Sequence, residues 1–408
     1  MKRAFIVTLG CRLNQADSAL IADRLRSAGY EITGGDGHID LIVINSCAVT
    51  AQAVAKSRRA LAKWRRTFPD AEIVMTGCAA EVEFDKFSAS GRADAVLTNP
   101  DKREIVGVPE HLRSSDLTVE PFSEHAEGYF PFRHRALVKI QEGCNNFCTY
   151  CIVPYVRGRE RSRRVDEVLN ECRHLIASGV PEIVLTGVNT CAYESEGWNL
   201  GRLVREICAI DGDFRIRLSS TEPHPNNLVL LDSLRECGDK FCRFLHLSLQ
   251  HGDNAILKAM NRHYVREEYA EFVAAARTMF PQLHVGTDVI AGFPGEGECE
   301  FESSLEFIRS MNFANVHIFT YSPRPGTPAA GFAGQVAPEI AAARHEKLAA
   351  VAAESAARFR AAQTGMELPV IFEEEKNGML HGWSDNYLPV SVPCGAFPVG
   401  RIVRVKLN

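Results

Sequence analysis

The 408-residue chain has no stretch of about 20 consecutive apolar residues, which is the length that a membrane-spanning helix needs. The apolar run at residues 4–9 is too short for the hydrophobic part of a secretory signal and is more typical of a buried strand. Low-complexity segments and solenoid repeats are also absent from the sequence. We therefore expect a cytoplasmic protein with two or three globular domains and no membrane partner.

Positive charge is not in excess either, because 46 basic residues face 51 acidic ones and leave a net charge of −5. Such a balance is a poor overall signature of a nucleic-acid-binding protein. Two local runs differ from this average: residues 56–66 and residues 157–164 are both rich in lysine or arginine. Either run, taken alone, is as consistent with a solvated surface as with an RNA contact.

Cysteine, in contrast, is abundant, and its 13 residues cannot all be paired in disulfides because their number is odd. In a cytosolic chain of this length, so many cysteines favour metal binding or redox chemistry. Six of them form two groups of three, each with its own pattern. We expect the other seven to be structural, namely Cys172, Cys191, Cys208, Cys237, Cys242, Cys299 and Cys394.

The pattern of apolar runs predicts an α/β protein. It divides the chain into three domains and a linker. Residues 1–112 alternate short apolar runs with helical patterns, which predicts a doubly wound parallel sheet, and residues 113–133 read as the linker. Residues 134–363 contain six strand–helix units and a long alanine-rich helix, which predict an open, partial (β/α)6 barrel. Residues 364–408 contain short β-like runs and are expected to form a small β module.

The first group of cysteines is the C-x₃-C-x₂-C loop of Cys144, Cys148 and Cys151. Three thiolates on one loop can ligate three irons of a [4Fe–4S] cluster, and the fourth iron then stays open for a small molecule. A structural zinc site normally uses four protein ligands, and no second cysteine pair lies nearby in the sequence. Because the loop follows the first predicted strand of the barrel, we expect it at the catalytic mouth.

The second group is Cys11, Cys47 and Cys78, which lie far apart in the sequence but share one context. Each follows a predicted buried strand, in the segments IVTLGC, LIVINSC and EIVMTGC. The carboxyl ends of the strands of a doubly wound sheet converge on one crevice, so the three thiols are expected to meet there and to ligate a second cluster. For any one of them, a small apolar residue at the end of a core strand is the alternative interpretation.

Together these features resemble the radical S-adenosylmethionine (SAM) methylthiotransferase family over nearly the whole chain. The resemblance is carried by TLGCRLNQADS (8–18), PYVRGRERSR (154–163), SLQHG (248–252), MNR (260–262) and GTDVIAGFPGE (286–296). The segment GWSDNY (382–387) is similar to the family's RNA-binding TRAM module. Within the family, the sequence is most similar to the MtaB branch, which acts on N6-threonylcarbamoyladenosine just 3′ of the anticodon of transfer RNA.

The resemblance implies two [4Fe–4S] clusters, held by the two cysteine groups, and SAM as the further cofactor. One SAM is expected to methylate a sulfur at the N-terminal cluster. A second SAM is expected to yield a radical that removes hydrogen from C2 of the adenine, after which the carbon radical captures the methylthio group. Catalysis then needs no side chains beyond the cluster ligands. The implied partners are the tRNA anticodon loop and an electron donor of unknown identity, and DNA is not expected.

Family analogy also points to residues around the predicted barrel mouth. Polar groups at strand ends are expected to bind the ribose and methionyl groups of SAM, and an apolar side chain to pack on its adenine. The residues expected to contact SAM are Gly187, Asn189, Ser219, Ser220, Glu222, Gln250, Arg262, Asp288, Ile290 and Tyr321. Those expected to contact substrate or RNA are Arg157, Arg159, Arg161, Arg163 and Arg324. His246, between apolar neighbours in a predicted strand, is interpreted as a core histidine.

Two kinds of alternative stay open at this point. The same chemistry is compatible with another target, either isopentenyladenosine in tRNA or an aspartate of a ribosomal protein. A function of another class is a non-catalytic iron–sulfur protein that binds RNA through its β module. Cleavage of SAM on reduction would exclude the non-catalytic RNA-binding protein, because such a protein does not catalyse this reaction.

Overall fold

The computed structural model describes residues 1–100, 134–222 and 228–407 of the chain. The predicted linker at 113–133 lies outside these residues, as does the end of the predicted N-terminal domain. In the described part, every helix is too short or too polar to cross a membrane.

The N-terminal region is a five-stranded parallel sheet in the order β2-β1-β3-β4-β5, with helices on both faces. Its elements are β1 (Lys2–Thr8), α1 (Arg12–Ser27), β2 (Tyr30–Ile32), β3 (Leu41–Ser46), α2 (Ala51–Thr67), β4 (Glu72–Gly77), α3 (Cys78–Val82), α4 (Phe84–Ser88) and β5 (Ala95–Val96). The central strand β3 is buried along its whole length because α1 packs on one face of the sheet and α2 on the other. The predicted doubly wound sheet is confirmed; its two short edge strands, β2 and β5, were not predicted.

The central region is an open parallel barrel. Its elements are β6 (Arg135–Lys139), β7 (Gln141–Glu142), α5 (Val153–Val156), β8 (Arg161–Ser162), α6 (Val165–Ala177), β9 (Glu182–Thr186), β10 (Glu194–Ser195), β11 (Trp198–Asn199), α7 (Leu200–Cys208), β12 (Arg215–Leu218), β13 (Ser220–Thr221), α8 (Leu228–Glu236), β14 (Phe244–Leu247), α9 (Asn254–Ala259), α10 (Arg266–Met279), β15 (His284–Ala291), α11 (Glu298–Met311), β16 (Asn315–Thr320) and α12 (Pro338–Ala361). The strands pair in the orders β6-β9-β12 and β13-β14-β15-β16, and only Ser219 separates β12 from β13. The predicted six-unit partial barrel is therefore confirmed.

The C-terminal region is a four-stranded antiparallel sheet in the order β19-β18-β17-β20. Its strands are β17 (Glu367–Lys376), β18 (Met379–Ser384), β19 (Pro389–Pro393) and β20 (Ile402–Lys406). It docks on the barrel through two buried arginines of β12: Arg215 Nη1 donates to the carbonyl of Pro369 at 2.9 Å, and Arg217 Nη1 to that of Asp385 at 2.9 Å. The module also contacts the N-terminal region, because Arg12 Nη2 donates to the hydroxyl of Tyr387 at 3.1 Å.

Candidate active site

The loop of Cys144, Cys148 and Cys151 lies between β7 and α5, next to the carboxyl end of the first barrel strand. Its shape depends on Gly143, whose φ of +72° is unfavourable for other residues and whose added Cβ would lie 1.9 Å from the carbonyl oxygen of Arg159. The backbone N–H groups of Asn146 and Val153 point at the sulfurs of Cys144 and Cys151, at 3.5 and 3.4 Å. Such N–H···S contacts suit the thiolate ligands of an iron–sulfur cluster.

The thiols of this loop are protected from solvent. Burial raises the pKa of Cys144 to about 11 and that of Cys151 to about 12. The guanidinium of Arg262 donates from Nη1 to the sulfur of Cys148 at 3.2 Å and pairs with Glu222. Metal ligation requires thiolates, so a cluster held by this loop would form with release of protons, and the cation of Arg262 would favour the negatively charged thiolates.

The second group of cysteines lies at one edge of the N-terminal sheet, as the strand-end pattern predicted. Cys11, Cys47 and Cys78 follow β1, β3 and β4, which are neighbours in the sheet. An added Cβ on Gly10, whose φ is +101°, would lie 2.8 Å from the sulfur of Cys47, so the Cys11 turn packs directly on Cys47. Burial raises the pKa of Cys47 to about 11, and the nearby thiols of Cys78 and Cys11 add to the shift. The set fits the three-thiolate ligand pattern of a second cluster.

A buried network of charges joins the two cysteine sites. Arg157 donates to Glu142 at 2.8 Å and to Asp17 of α1 at 3.0 Å, and its Nε lies 3.3 Å from the sulfur of Cys78. Lys139 at the end of β6 pairs with the same two carboxylates, at 2.9 Å to Asp17 and 3.3 Å to Glu142. Because Asp17 belongs to the N-terminal sheet region and Glu142 to the barrel, this network fixes the two cysteine sites relative to each other.

The expectation that the run 157–164 forms an RNA-binding surface needs a correction. Arg157 is 3% exposed and Arg163 is 2% exposed, and Arg163 pairs with Glu171. The charges of both arginines are paired with carboxylates inside the protein. These two side chains therefore stabilise the fold and do not face RNA. Arg161 is half-buried, with its Nη2 atom 3.8 Å from Glu142, whereas Arg159 is exposed and lies over the ring of Phe147 at 4.3 Å.

The Arg157→Gln variant is expected to be strongly destabilised, because it leaves the buried carboxylates of Asp17 and Glu142 with Lys139 as their main cation. Loss of one partner from a buried ion pair typically lowers the free energy of unfolding by about 3–5 kcal/mol. Arg159→Gln, two residues away on the surface, is the matched control and should change it by no more than about 0.5 kcal/mol. Urea unfolding of both variants checks this, and equal midpoints would contradict the role given to Arg157.

The residues predicted to contact SAM fall into two adjoining sets. Around the first cysteine loop, Glu222 accepts hydrogen bonds from Asn146 and Asn189 and pairs with Arg262. The second set lines a cavity of about 190 Å³, together with residues that were not predicted. The lining residues are Val49, Thr50, Tyr150, Gln250, Asp288, Ile290, Phe319, Thr320, Tyr321 and Ser322. Gly187, Ser219 and Ser220 lie at strand ends, where Gly187 packs against Gln141.

The cavity is also lined by residues that sequence reasoning did not nominate. Tyr150 lies between two of the predicted cluster ligands and is the aromatic side chain of the loop that reaches the cavity. Val49 and Thr50 lie two and three residues after Cys47, so the N-terminal sheet region contributes one wall. An aromatic residue within the loop was a usable signal for Tyr150. Nothing local in the sequence indicated that the segment after Cys47 would face the barrel.

Asp288 is held by three side chains, of which His246 is buried and His317 is exposed. Its carboxylate lies 3.0 Å from Nε2 of His246, 3.3 Å from Nδ1 of His317 and 3.1 Å from the hydroxyl of Ser248. Hydrogen bonds and charge from the two histidines hold the pKa of Asp288 well below its usual range, although burial opposes them. His246 is thus a buried and hydrogen-bonded histidine, in agreement with its interpretation as a core residue.

Arg324 lies near Cys47 of the second cysteine group and follows Ser322, which lines the cavity, by two residues. It is only 5% exposed, and its Nε atom has no hydrogen-bond partner among the described residues. Burial lowers the pKa of Arg324, while the nearby Glu83 and Cys47 oppose this shift. A buried guanidinium with an unsatisfied donor is costly, and an anionic ligand would offset that cost.

Comparisons with known proteins agree with this architecture. The model of the Radical SAM superfamily matches residues 138–308, and that of Uncharacterized protein family UPF0004 matches residues 3–98. Among solved structures, the radical S-adenosylmethionine methyltransferase TsrM from Kitasatospora setae, with cobalamin and a [4Fe–4S] cluster bound, has a TM-score of 0.57 at 16% identity, covering 81% of this chain and 77% of that one. At this identity the likeness concerns the fold alone.

Curated relatives span the whole chain. The threonylcarbamoyladenosine tRNA methylthiotransferase MtaB of Bacillus subtilis is 35% identical, covering 98% of this chain and 92% of its own. The protein of the same name from Aquifex aeolicus is 36% identical, and the match covers 100% of this chain and 100% of its own. The tRNA-2-methylthio-N(6)-dimethylallyladenosine synthase of Maricaulis maris is 33% identical, covering 100% of this chain and 95% of its own.

Proposed function

The chain belongs to the radical SAM methylthiotransferase family, and from this premise we propose that it converts N6-threonylcarbamoyladenosine next to the anticodon of tRNA to its 2-methylthio derivative. The relatives named for this reaction support the substrate at 34–36% identity over nearly full length. The enzyme then acts in the cytoplasm, where tRNA is found. Its cofactors are SAM and two [4Fe–4S] clusters, and its electron donor is a separate reductant.

One observation carries the proposal: a single cavity is bounded by residues adjacent to both cysteine groups. Tyr150 precedes Cys151 of the first group, and Val49 and Thr50 follow Cys47 of the second. A methylthiolation needs a radical source and a sulfur source within reach of the same carbon atom, and a cavity between two cluster sites meets that need. The divisions 1–112, 134–363 and 364–408 then correspond to sulfur transfer, SAM cleavage and RNA binding, with 113–133 as linker.

When bound, the clusters and SAM supply the sulfur, the methyl group and the radical. The chain's own residues provide position and shielding. Tyr150, Ile290 and Tyr321 line the cavity and offer apolar surface on which a bound ligand can pack. Arg262 anchors the cysteine loop through Cys148 and links it to Glu222, and so holds the loop against the barrel mouth.

The threonylcarbamoyl group distinguishes the proposed substrate, because it carries a carboxylate whereas an isopentenyl chain is apolar. A buried carboxylate needs a paired cation, and arginine supplies it best. Arg157 is already paired with Asp17 and Glu142, and Arg159 is exposed. Arg324, buried near Cys47 with an unsatisfied Nε, is therefore the arginine that we propose for the substrate carboxylate.

Purified, reconstituted enzyme offered both tRNAs in one tube should methylthiolate the threonylcarbamoyladenosine tRNA at least about 100-fold faster than the isopentenyladenosine tRNA. A site built for a charged partner discriminates strongly, since the wrong substrate leaves its cation buried and unpaired. Mass spectrometry of the digested nucleosides measures both products. Product from the isopentenyl substrate alone would refute the substrate while leaving the radical chemistry intact.

The Arg324→Gln variant separates the role of Arg324 from that of the fold. If Arg324 binds the carboxylate, the variant should lose activity on the threonylcarbamoyl substrate while still cleaving SAM at the wild-type rate. Loss of SAM cleavage as well would mean that Arg324 serves the clusters. In cells, tRNA from a strain that lacks the gene should contain threonylcarbamoyladenosine without its 2-methylthio derivative.

A further inference from the structure

Helix α2 carries six basic residues and no acidic one, and the structure divides the six into two sets. Arg58 pairs with Glu83, its Nε lying 2.8 Å from that carboxylate. Arg65 pairs with Asp94 and also donates to the carbonyl of Ala71 at 2.9 Å. These two arginines tie α2 to its own domain, so their charges are already used within the protein.

The other four, Lys56, Arg59, Lys63 and Arg66, are exposed, and none of them forms an ion pair within the described residues. Their spacing of three, four and three residues places them on one face of the helix. This face lies about 200° around the helix from the buried residues Val54, Ser57 and Leu61, at 100° per residue. The four side chains, which we call the α2 basic stripe, extend over about 15 Å.

The α2 basic stripe begins near the cavity between the two cysteine groups and extends along the helix away from it. Thr50, which caps the N-terminus of α2, lines that cavity, and the backbone N–H of Ala51 donates to the hydroxyl of Ser322 at 3.2 Å. The first cation of the stripe, Lys56, is six residues further along, or about 9 Å. The start of α2 is therefore close to any base that occupies the cavity, and the stripe begins about 9 Å further along the helix.

Resting on the proposed function, we propose that the α2 basic stripe binds the sugar–phosphate backbone of the substrate tRNA next to the modified nucleotide. The run 157–164 is less suited to this role, because Arg157 and Arg163 are buried and the exposed Arg164 pairs with Asp166 and Glu196. In a chain with a net charge of −5, a stripe of four cations without acidic neighbours on its helix is a local attraction for phosphates.

The test replaces the whole stripe by glutamine, as K56Q/R59Q/K63Q/R66Q, in the reconstituted enzyme with its tRNA. Each phosphate contact contributes about 0.7–0.9 to the slope of log K against log[salt], so the slope should fall by about 3. Affinity at 50 mM KCl should fall at least tenfold. Iron content and SAM cleavage should stay at wild-type values, since none of the four residues contacts the cysteine sites.

A control variant with the same change in net charge is R173Q/R205Q/R235Q/R309Q, on the outer helices α6, α7, α8 and α11, and it should keep the wild-type slope. An unchanged salt slope in the α2 variant overturns the proposal. An equal decrease of the salt slope in both variants also overturns it, because the net charge of the protein would then govern RNA binding. Wild-type enzyme that neither binds nor modifies threonylcarbamoyladenosine tRNA overturns the proposed function itself.

Discussion

Replacement of Cys144, Cys148 and Cys151 together by alanine is expected to leave about four of about eight irons per chain and to abolish the reductive cleavage of SAM. The three residues are the only cysteines of their loop, so no neighbouring thiol can take over ligation. The second group lies at the edge of a different sheet and should still assemble its cluster.

The measurements are iron and sulfide content of anaerobically reconstituted protein and formation of 5′-deoxyadenosine after reduction. The control removes as many cysteines, in the variant C191S/C299S/C394S, because these three are partly or fully exposed and belong to neither group. The control should keep about eight irons and full SAM cleavage. SAM cleavage in the alanine variant would show that the loop does not hold the cluster that binds SAM.

Replacement of Cys11, Cys47 and Cys78 by alanine is expected to separate the two halves of the reaction. About four irons should remain and SAM cleavage should persist within about twofold, while 2-methylthio product falls below detection. The reason is spatial, because these residues follow three neighbouring strands of the N-terminal sheet, whereas the loop proposed for SAM cleavage is on the barrel.

The second triple variant needs two readouts from one reaction, 5′-deoxyadenosine and the modified nucleoside. If both clusters still assemble, the three strand ends do not hold iron and the proposed function of the N-terminal sheet is wrong. If SAM cleavage is lost too, the two sites are coupled. Arg157 would then be the first residue to examine, since it lies 3.3 Å from the sulfur of Cys78 and donates at 2.8 Å to Glu142, which precedes the first cysteine loop.

The sequence predicted the architecture well because each of its main signals is local. Apolar runs separated by helical patterns predicted both parallel sheets, and the position of Cys11, Cys47 and Cys78 after three such runs predicted that they share one edge. Short elements escaped prediction: the edge strands β2 and β5 have only three and two residues, too few for a periodic pattern.

Charge was the property that sequence reasoning could not resolve. Arg157 and Arg159 look alike in the sequence, yet one is buried against Asp17, 140 residues away, and the other is exposed over an aromatic ring. On α2, Glu83 and Asp94 decide which of the six cations stay exposed and unpaired.

The sequence by itself thus determined the fold class, the two groups of cysteines and the family, because strand periodicity and ligand spacing are properties of neighbouring residues. Only the tertiary structure decided which arginines hold the domains together, which one is buried beside Cys47 and which face of α2 is open to a partner. Ion pairs and cavities join residues that are distant in the chain, so their composition follows from packing and cannot be deduced from any local pattern.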